Sequence, residues 1–439
     1  MPVNTLHSIR RQRLMDKLPD DSFVILVGYQ QKVRSKNIKY HFRQDNDFFY
    51  LTGFNEPDAV ALLYRGPQGE IIYTLLCRPN DPQQEVSFGA RAGVTGAIEK
   101  FGATQAFDIA ELDTVMASSL THQRQVFISD ELGRFNHKLI DWCNAQRQAS
   151  GFDTPKYYRS ITPLAKYLHP LRVIKDESEQ AAIRAAVNAS VDGHKAVMKA
   201  CRSDINEAQL AATFNYAIAA HGANEVAYPN IVAAGNNACC LHYEENCCQT
   251  QSGQMLLIDA GAELNHYAAD ITRSYPVDGK FTQAQGAIYQ LVLDALDAAI
   301  AKVTPGTPWN ELYETCMQVM ARGLIELGLL QGSYEEIMAS ESYKRFTVHK
   351  TGHWLGMDVH DVGPYHDENG QWRQLEAGMI FTIEPGIYIP ESATDVPEAY
   401  RGMGIRIEDD ILVTTDGHEN LSKQVPRSIA EIEACMQRC

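Results

Sequence analysis

The chain has 439 residues, 45% of them hydrophobic and 21% charged, a composition that excludes a disordered or fibrous protein and leaves room for several domains. Lys and Arg number 39 against 55 Asp and Glu, so the formal net charge is −16; this argues against a sequence-independent nucleic-acid binder, which needs a basic face to displace counterions. The strongest apolar runs, 23–27 and 255–258, fall far short of the roughly 20 residues of a membrane helix, so no membrane partner is expected.

In chain order, Arg10, Arg11 and Arg13 are not followed by an apolar stretch of signal-peptide form, which predicts a cytoplasmic protein. Segments 22–27, 59–64, 71–77 and 126–128 are rich in apolar and β-branched residues and predict strands. Segments 6–18 and 132–146 have helical spacing of apolar positions. This alternation predicts a smaller α/β N-terminal domain. Proline and polar residues gather at Asp153-Thr154-Pro155, with Pro163 and Pro170 beyond, and a long helical pattern starts near Asp176, which can cap it, as can Ser178. The division is therefore drawn as domains 1–172 and 173–439. In the second domain, helices near 176–202 and 206–221 precede strands near 230–235 and 254–277. Helices near 281–303 and 308–328 then precede strands near 379–389 and 403–414. Two rounds of a helix pair followed by strands hint at two related halves, although the sequences of the halves are not visibly alike.

Ten cysteines in a chain of this kind read as free, mostly buried thiols. Cys239-Cys240 and Cys247-Cys248 flank His242, yet no CxxC pair occurs, so a structural zinc knuckle is poorly supported.

The chemistry-bearing residues lie in the second domain. Segment 256–273 reads as strand, tight turn, strand. A turn centred on Leu264-Asn265 would set Asp259 directly opposite Asp270. Like charges facing across a hairpin repel, so such a pair needs a cation, a shared proton or solvent. Three histidines, His349, His353 and His360, fall within twelve residues. Glu384 follows the apolar run 379–383 and is itself followed by Pro385-Gly386. Arg406 and Glu408 share one face of a strand whose other face is Ile405 and Ile407. Each acid alone could be a solvated strand residue, but carboxylates beside apolar strands are costly unless paired. Four carboxylates with imidazole suit Mn²⁺, and also Co²⁺, Fe²⁺ or Zn²⁺, better than a thiolate zinc site would. Metal-assisted hydrolysis is the matching chemistry. No HExxH helix, G-x-S-x-G elbow or Walker loop competes.

These motifs, in this order, resemble the proline-directed branch of the pita-bread dinuclear metallopeptidases, and the N-terminal segment 40–57 is similar to the N-terminal domain of the aminopeptidase P family. The resemblance runs over nearly the whole chain. It implies a C-terminal α+β pita-bread catalytic domain, a curved and mostly antiparallel sheet with flanking helices, behind the α/β domain. It implies that Asp259, Asp270, His353, Glu384 and Glu408 hold two divalent metal ions, most often Mn²⁺. His242, His349, His360 and Arg406 match groups that orient substrate and stabilise the tetrahedral intermediate, and Tyr388 joins His349, His360 and Arg406 on the proline side.

The implied activity is that of an Xaa-Pro aminopeptidase, which hydrolyses the bond between an N-terminal residue and a following proline with a dinuclear centre and bridging hydroxide. Glu384 is the implied proton shuttle. The implied partners are peptides with proline at the second position and further copies of the chain, as a tetramer or dimer. A prolidase restricted to Xaa-Pro dipeptides is the nearest alternative, and a metal-free pita-bread binding module is another. Lys350 departs from the family's usual small residue or arginine and could bring a long cation toward the cleft.

Overall fold

Six short strands of the N-terminal part hydrogen-bond edge to edge, because a lone strand leaves its backbone N–H and C=O groups without partners. The computed structural model describes residues 3–66, 68–120, 125–129, 133–149 and 160–437, so the Asp153-Thr154-Pro155 segment lies outside the described residues. The chain divides into two units, Met1–Leu171 and Arg172–Cys439.

In the first unit the strand order is Gln105–Asp108, Ile71–Cys77, Val60–Arg65, Ser22–Val27, Gln125–Ser129, Ser160–Pro163. The three inner neighbours Ile71–Cys77, Val60–Arg65 and Ser22–Val27 pair antiparallel, and the outer pairings are parallel. Ser22–Val27 is buried along its whole length, as expected of a strand covered on both faces. Phe23, Ile25 and Val27 pack with Leu112, Val115, Met116, Leu139 and Trp142 from the helices Leu112–Ser119 and Asn136–Ala149. Periodicity did not reveal the short helix Asn46–Thr52. It is set by local chemistry instead, with Asp45 accepting from the Phe48 N–H and Gly53 closing it at φ 67°.

The second unit begins with a buried cation pair. Arg172 and Lys175 donate to the two oxygens of Asp361 at 2.6 and 2.9 Å; burial pushes that carboxyl up, but the two cations outweigh it and leave it below its ordinary range. Asp176 then caps the helix Glu177–Ala200 in a capping box with Glu179. That helix packs on Glu207–Ala219, and Gln283–Ile300 packs on Trp309–Glu326. Each pair closes on a glycine. A Cβ on Gly193 would lie 2.5 Å from the Phe214 ring, and one on Gly323 would lie 2.2 Å from Leu291.

Four small sheets accompany the helices, all antiparallel: Ile231–Ala234 with Met255–Asp259 and Thr272–Pro276; Glu225–Val226 with Ala262–Leu264 and Tyr267–Ala268; Ile380–Ile383 with Asp409–Val413 and His418–Asn420; and Gly386–Ile389 with Met403–Arg406.

Candidate metal centre

The strand Met255–Asp259 runs through a fully buried apolar stretch and stops on Asp259. Its hairpin register corrects the sequence expectation. Glu263 pairs with Ala268, and Asp259 pairs with Thr272, not with Asp270. The turn falls one residue later than expected, on Asn265 and His266, at φ 53° and 68°. Two left-handed residues in a row are what a type I′ hairpin turn requires, and Asn favours that conformation. Asp270 is therefore diagonal to Asp259 on the same face, where side chains still meet. The hydroxyl of Tyr228 joins them, 2.6 Å from Asp259 Oδ1 and 2.5 Å from Asp270 Oδ1. Nothing in the local pattern Ala227-Tyr228-Pro229 had marked Tyr228.

The segment 351–355 runs alongside 380–384. Leu355 N–H donates to the Ile380 carbonyl, Thr382 N–H to that of His353, and Glu384 N–H to that of Thr351. Gly352 permits this approach, since a Cβ there would sit 2.3 Å from the Thr382 carbonyl oxygen. The result sets His353 beside Glu384, with Nε2 3.6 Å from Glu384 Oε1 and 3.3 Å from Asp270 Oδ2. Trp354, fully buried against Trp309, Tyr365 and Phe381, anchors the segment from behind.

Glu408 arrives from the junction between the strands Met403–Arg406 and Asp409–Val413. Its N–H donates to the Thr272 carbonyl, and Thr272 Oγ1 donates to Glu408 Oε2 at 2.6 Å. Buried Arg273 fastens the same junction through the Glu408 carbonyl at 2.6 Å and the Asp409 carboxylate at 2.7 Å. Asp410 accepts from the Asp270 N–H at 3.2 Å. The run Glu408-Asp409-Asp410 thus has three separate tasks, of which only the first was expected from sequence.

The structure brings Asp270, His353 and Glu408 together with ligand atoms within 4.8 Å of one another. Asp259 adjoins them through Tyr228 and Glu384 through His353. Arg406 donates to Asp259 Oδ2 at 2.6 Å and to the Tyr388 hydroxyl at 2.8 Å. Tyr388 in turn lies 2.7 Å from His349 Nε2. His360 packs edge-on to His353, with ring centroids 4.2 Å apart. His242 is exposed, and its charge is felt at both His349 and His360. Lys350 turns to the ring of Tyr313, 4.6 Å from its centroid.

Electrostatics test whether this set suits divalent ions. Burial, then repulsion from Asp259, raises Asp270. Burial raises Glu384 to about 7 and drives Glu408 well above its ordinary range. His353 moves up to about 9: burial opposes its charge, but the hydrogen bond to Asp270 and the charge of Glu384 outweigh it. The Tyr228 hydroxyl has one proton for two carboxylates. Burial is the largest cause of the three carboxyl shifts, with repulsion among the acids adding to it, so the cluster favours a cation, and oxygen-rich ligation with one imidazole is the donor set of a divalent metal. The residues fit.

Comparison with known proteins agrees with that chemistry. Residues 181–415 match the model of metallopeptidase family M24, and residues 7–127 match the aminopeptidase P N-terminal domain. The chain is 36% identical to Xaa-Pro aminopeptidase of Escherichia coli (strain K12) over 427 residues, 97% of this chain and 96% of that protein. The chain belongs to the aminopeptidase P branch of metallopeptidase family M24. As in other members, an N-terminal α/β domain precedes a C-terminal pita-bread domain. The Haemophilus influenzae Xaa-Pro aminopeptidase is 37% identical over the same length. The solved structure of Pseudomonas aeruginosa aminopeptidase PepP superposes with a TM-score of 0.95 at 42% identity, covering 99% of this chain and 98% of that one. A zinc-substituted E. coli aminopeptidase P in complex with product superposes at 0.94 with 36% identity.

Proposed function

We propose that this chain is an Xaa-Pro aminopeptidase that releases the first residue from peptides whose second residue is proline. The observation that carries this is the cluster of Asp270, His353 and Glu408, with ligand atoms within 4.8 Å of one another and Asp259 and Glu384 adjoining it. Relatives along nearly the full chain that bear the same name support it over a prolidase. Asp259, Asp270, His353, Glu384 and Glu408 would hold two divalent ions, and Mn²⁺ suits their oxygen-rich donors. Bound there, the ions supply Lewis-acid polarisation of the scissile carbonyl and a water acidic enough to be deprotonated near neutral pH.

The chain's own groups do the rest. Glu384 takes a proton from the attacking water and delivers it to the proline nitrogen as the C–N bond breaks. That nitrogen carries no N–H, so it needs a delivered proton to leave. His242, on the exposed side of the centre, stabilises the developing oxyanion. His349, Tyr388 and Arg406 form one hydrogen-bonded chain, and with His360 they position the proline side. Burial holds His349 down to about 4, so it acts as a neutral ring.

Residues 1–172 would serve as the non-catalytic N-terminal domain, 173–439 as the catalytic one, and the working form would be a cytoplasmic homo-oligomer. No helix among the described residues is long and apolar enough to cross a membrane. A peptide series in Mn²⁺-defined buffer tests the activity. Release of the first residue from Xaa-Pro-Yaa, with Xaa-Ala-Yaa left intact, is the expected outcome. Cleavage confined to Xaa-Pro dipeptides would identify a prolidase instead.

A further inference from the structure

The adjacent cysteine pairs around His242 take no part in the hydrolytic chemistry. Among the described cysteines only Cys77, Cys201 and Cys316 are buried, which corrects the expectation of mostly buried thiols. Cys240, Cys247 and Cys248 are exposed. Cys247 and Cys248 lie on an irregular segment that a short backbone bridge at Gln249 and several side chains hold to residues 204–207. The buried carboxylate of Glu207 accepts from the Ala234 and Cys248 N–H groups and from the Tyr243 hydroxyl, at 2.8, 2.8 and 2.9 Å.

Neighbouring side chains of an extended chain point apart. The sulfurs of Cys247 and Cys248 nonetheless reach the same neighbour. Asn246 precedes them in the left-handed region at φ 47°, and their carbonyls are fixed by Asn206 and by the Glu207 N–H. Both sulfurs end 3.7 Å from one atom, the Tyr243 hydroxyl oxygen. Two reachable thiols converging on one point are a soft, two-toothed ligand set.

Tyr243 links that pair to the metal centre. It is adjacent to His242 in sequence and packs with Ile231, Ala233 and Leu257, and Leu257 lies on the strand that ends in Asp259.

We propose that Cys247 and Cys248 form a dithiol site for a trivalent arsenical, and that filling it inhibits hydrolysis by displacing Tyr243 and, with it, His242. The inhibitory half rests on the aminopeptidase reading; the binding half does not. A trivalent arsenical shows the chemistry. Phenylarsine oxide forms two As–S bonds, the As–O bond breaks, and the oxygen leaves as water with the two thiol protons. No redox change occurs.

The test uses the Mn²⁺-loaded full chain and phenylarsine oxide. Intact mass should show one bridging adduct per chain, formed with loss of water. Peptide turnover should fall on the order of a hundredfold, the cost of a misplacement of about 1 Å near the chemistry. 2,3-Dimercaptopropanol should reverse both effects, and a monothiol should not. The Cys247→Ser/Cys248→Ser protein should keep its basal activity and take up no adduct, whereas Cys239→Ser/Cys240→Ser should respond like the parent. An adduct retained in the first variant, its loss in the second, or no adduct on the parent would overturn the site. An adduct that leaves turnover unchanged would overturn the coupling. Because the mass is read independently of turnover, a preparation that cleaves no Xaa-Pro bond counts against the function and still tests the dithiol.

Discussion

At the residue scale, Glu384 and His194 show how burial sets what a side chain can do. Glu384 sits beside one imidazole and close to other acids, and burial raises its carboxyl to about 7 before any cation binds. Glu384→Gln keeps the volume but removes the capacity to accept and return a proton. The far-ultraviolet circular dichroism spectrum should be unchanged while turnover of an Xaa-Pro-Yaa peptide falls by roughly 10²–10⁴-fold; full activity in the variant would remove Glu384 from the proton path. His194 is wholly buried, with Nε2 3.0 Å from the Ala260 carbonyl oxygen. Burial, with Arg273 nearby, lowers its pKa from 6.5 to about 4. The unfolded chain therefore takes up a proton at a higher pH than the folded one. The neutral ring's contribution is complete above about 6.5 and drains away as pH falls toward 4, at up to about 1.4 kcal/mol per pH unit. Urea unfolding of the parent and of His194→Gln at pH 7 and pH 4.5 should show the stability gap between them narrowing at the lower pH. A constant gap would contradict the assignment.

At the element scale, the four proposed carboxylate ligands all sit where strands stop. Asp259 ends its strand, Asp270 falls two residues before Thr272–Pro276, and Glu408 separates Met403–Arg406 from Asp409–Val413. Glu384 stands between Ile380–Ile383 and Gly386–Ile389, just before Pro385. Strand interiors are apolar and paired; their ends leave side chains free to converge. This explains what was legible in the sequence. Apolar runs that break on an acid could be read directly, and they carry the candidate site. The hairpin register could not be read from hydrophobicity, because it depends on Asn265 and His266 entering the left-handed region together. Tyr228, Thr272 and Asp410 were missed because their work is defined by residues distant in the chain. Gly261 is the element's weak point. A Cβ there would lie 1.7 Å from the Ala269 carbonyl oxygen, between the two aspartates. Gly261→Ala should displace the Asp259–Asp270 pair, lowering both the melting temperature and Mn²⁺ affinity measured by calorimetry. Unaltered affinity would show that the hairpin tolerates the shift.

At the scale of the whole molecule, the net charge of −16 takes on a more specific meaning. Four of its acids, Asp259, Asp270, Glu384 and Glu408, are drawn into one cluster inside the protein instead of solubilising its surface. Such a cluster stabilises the fold only when its charge is compensated, so divalent ions that bind the native state should also raise its stability. The most direct measurement is a calorimetric titration of chelator-treated protein with Mn²⁺, with cleavage of an Xaa-Pro-Yaa peptide followed on the same sample. The account predicts saturation at two ions per chain, with turnover absent before the titration and restored along it. No uptake of metal, with turnover undiminished in chelator, would contradict it.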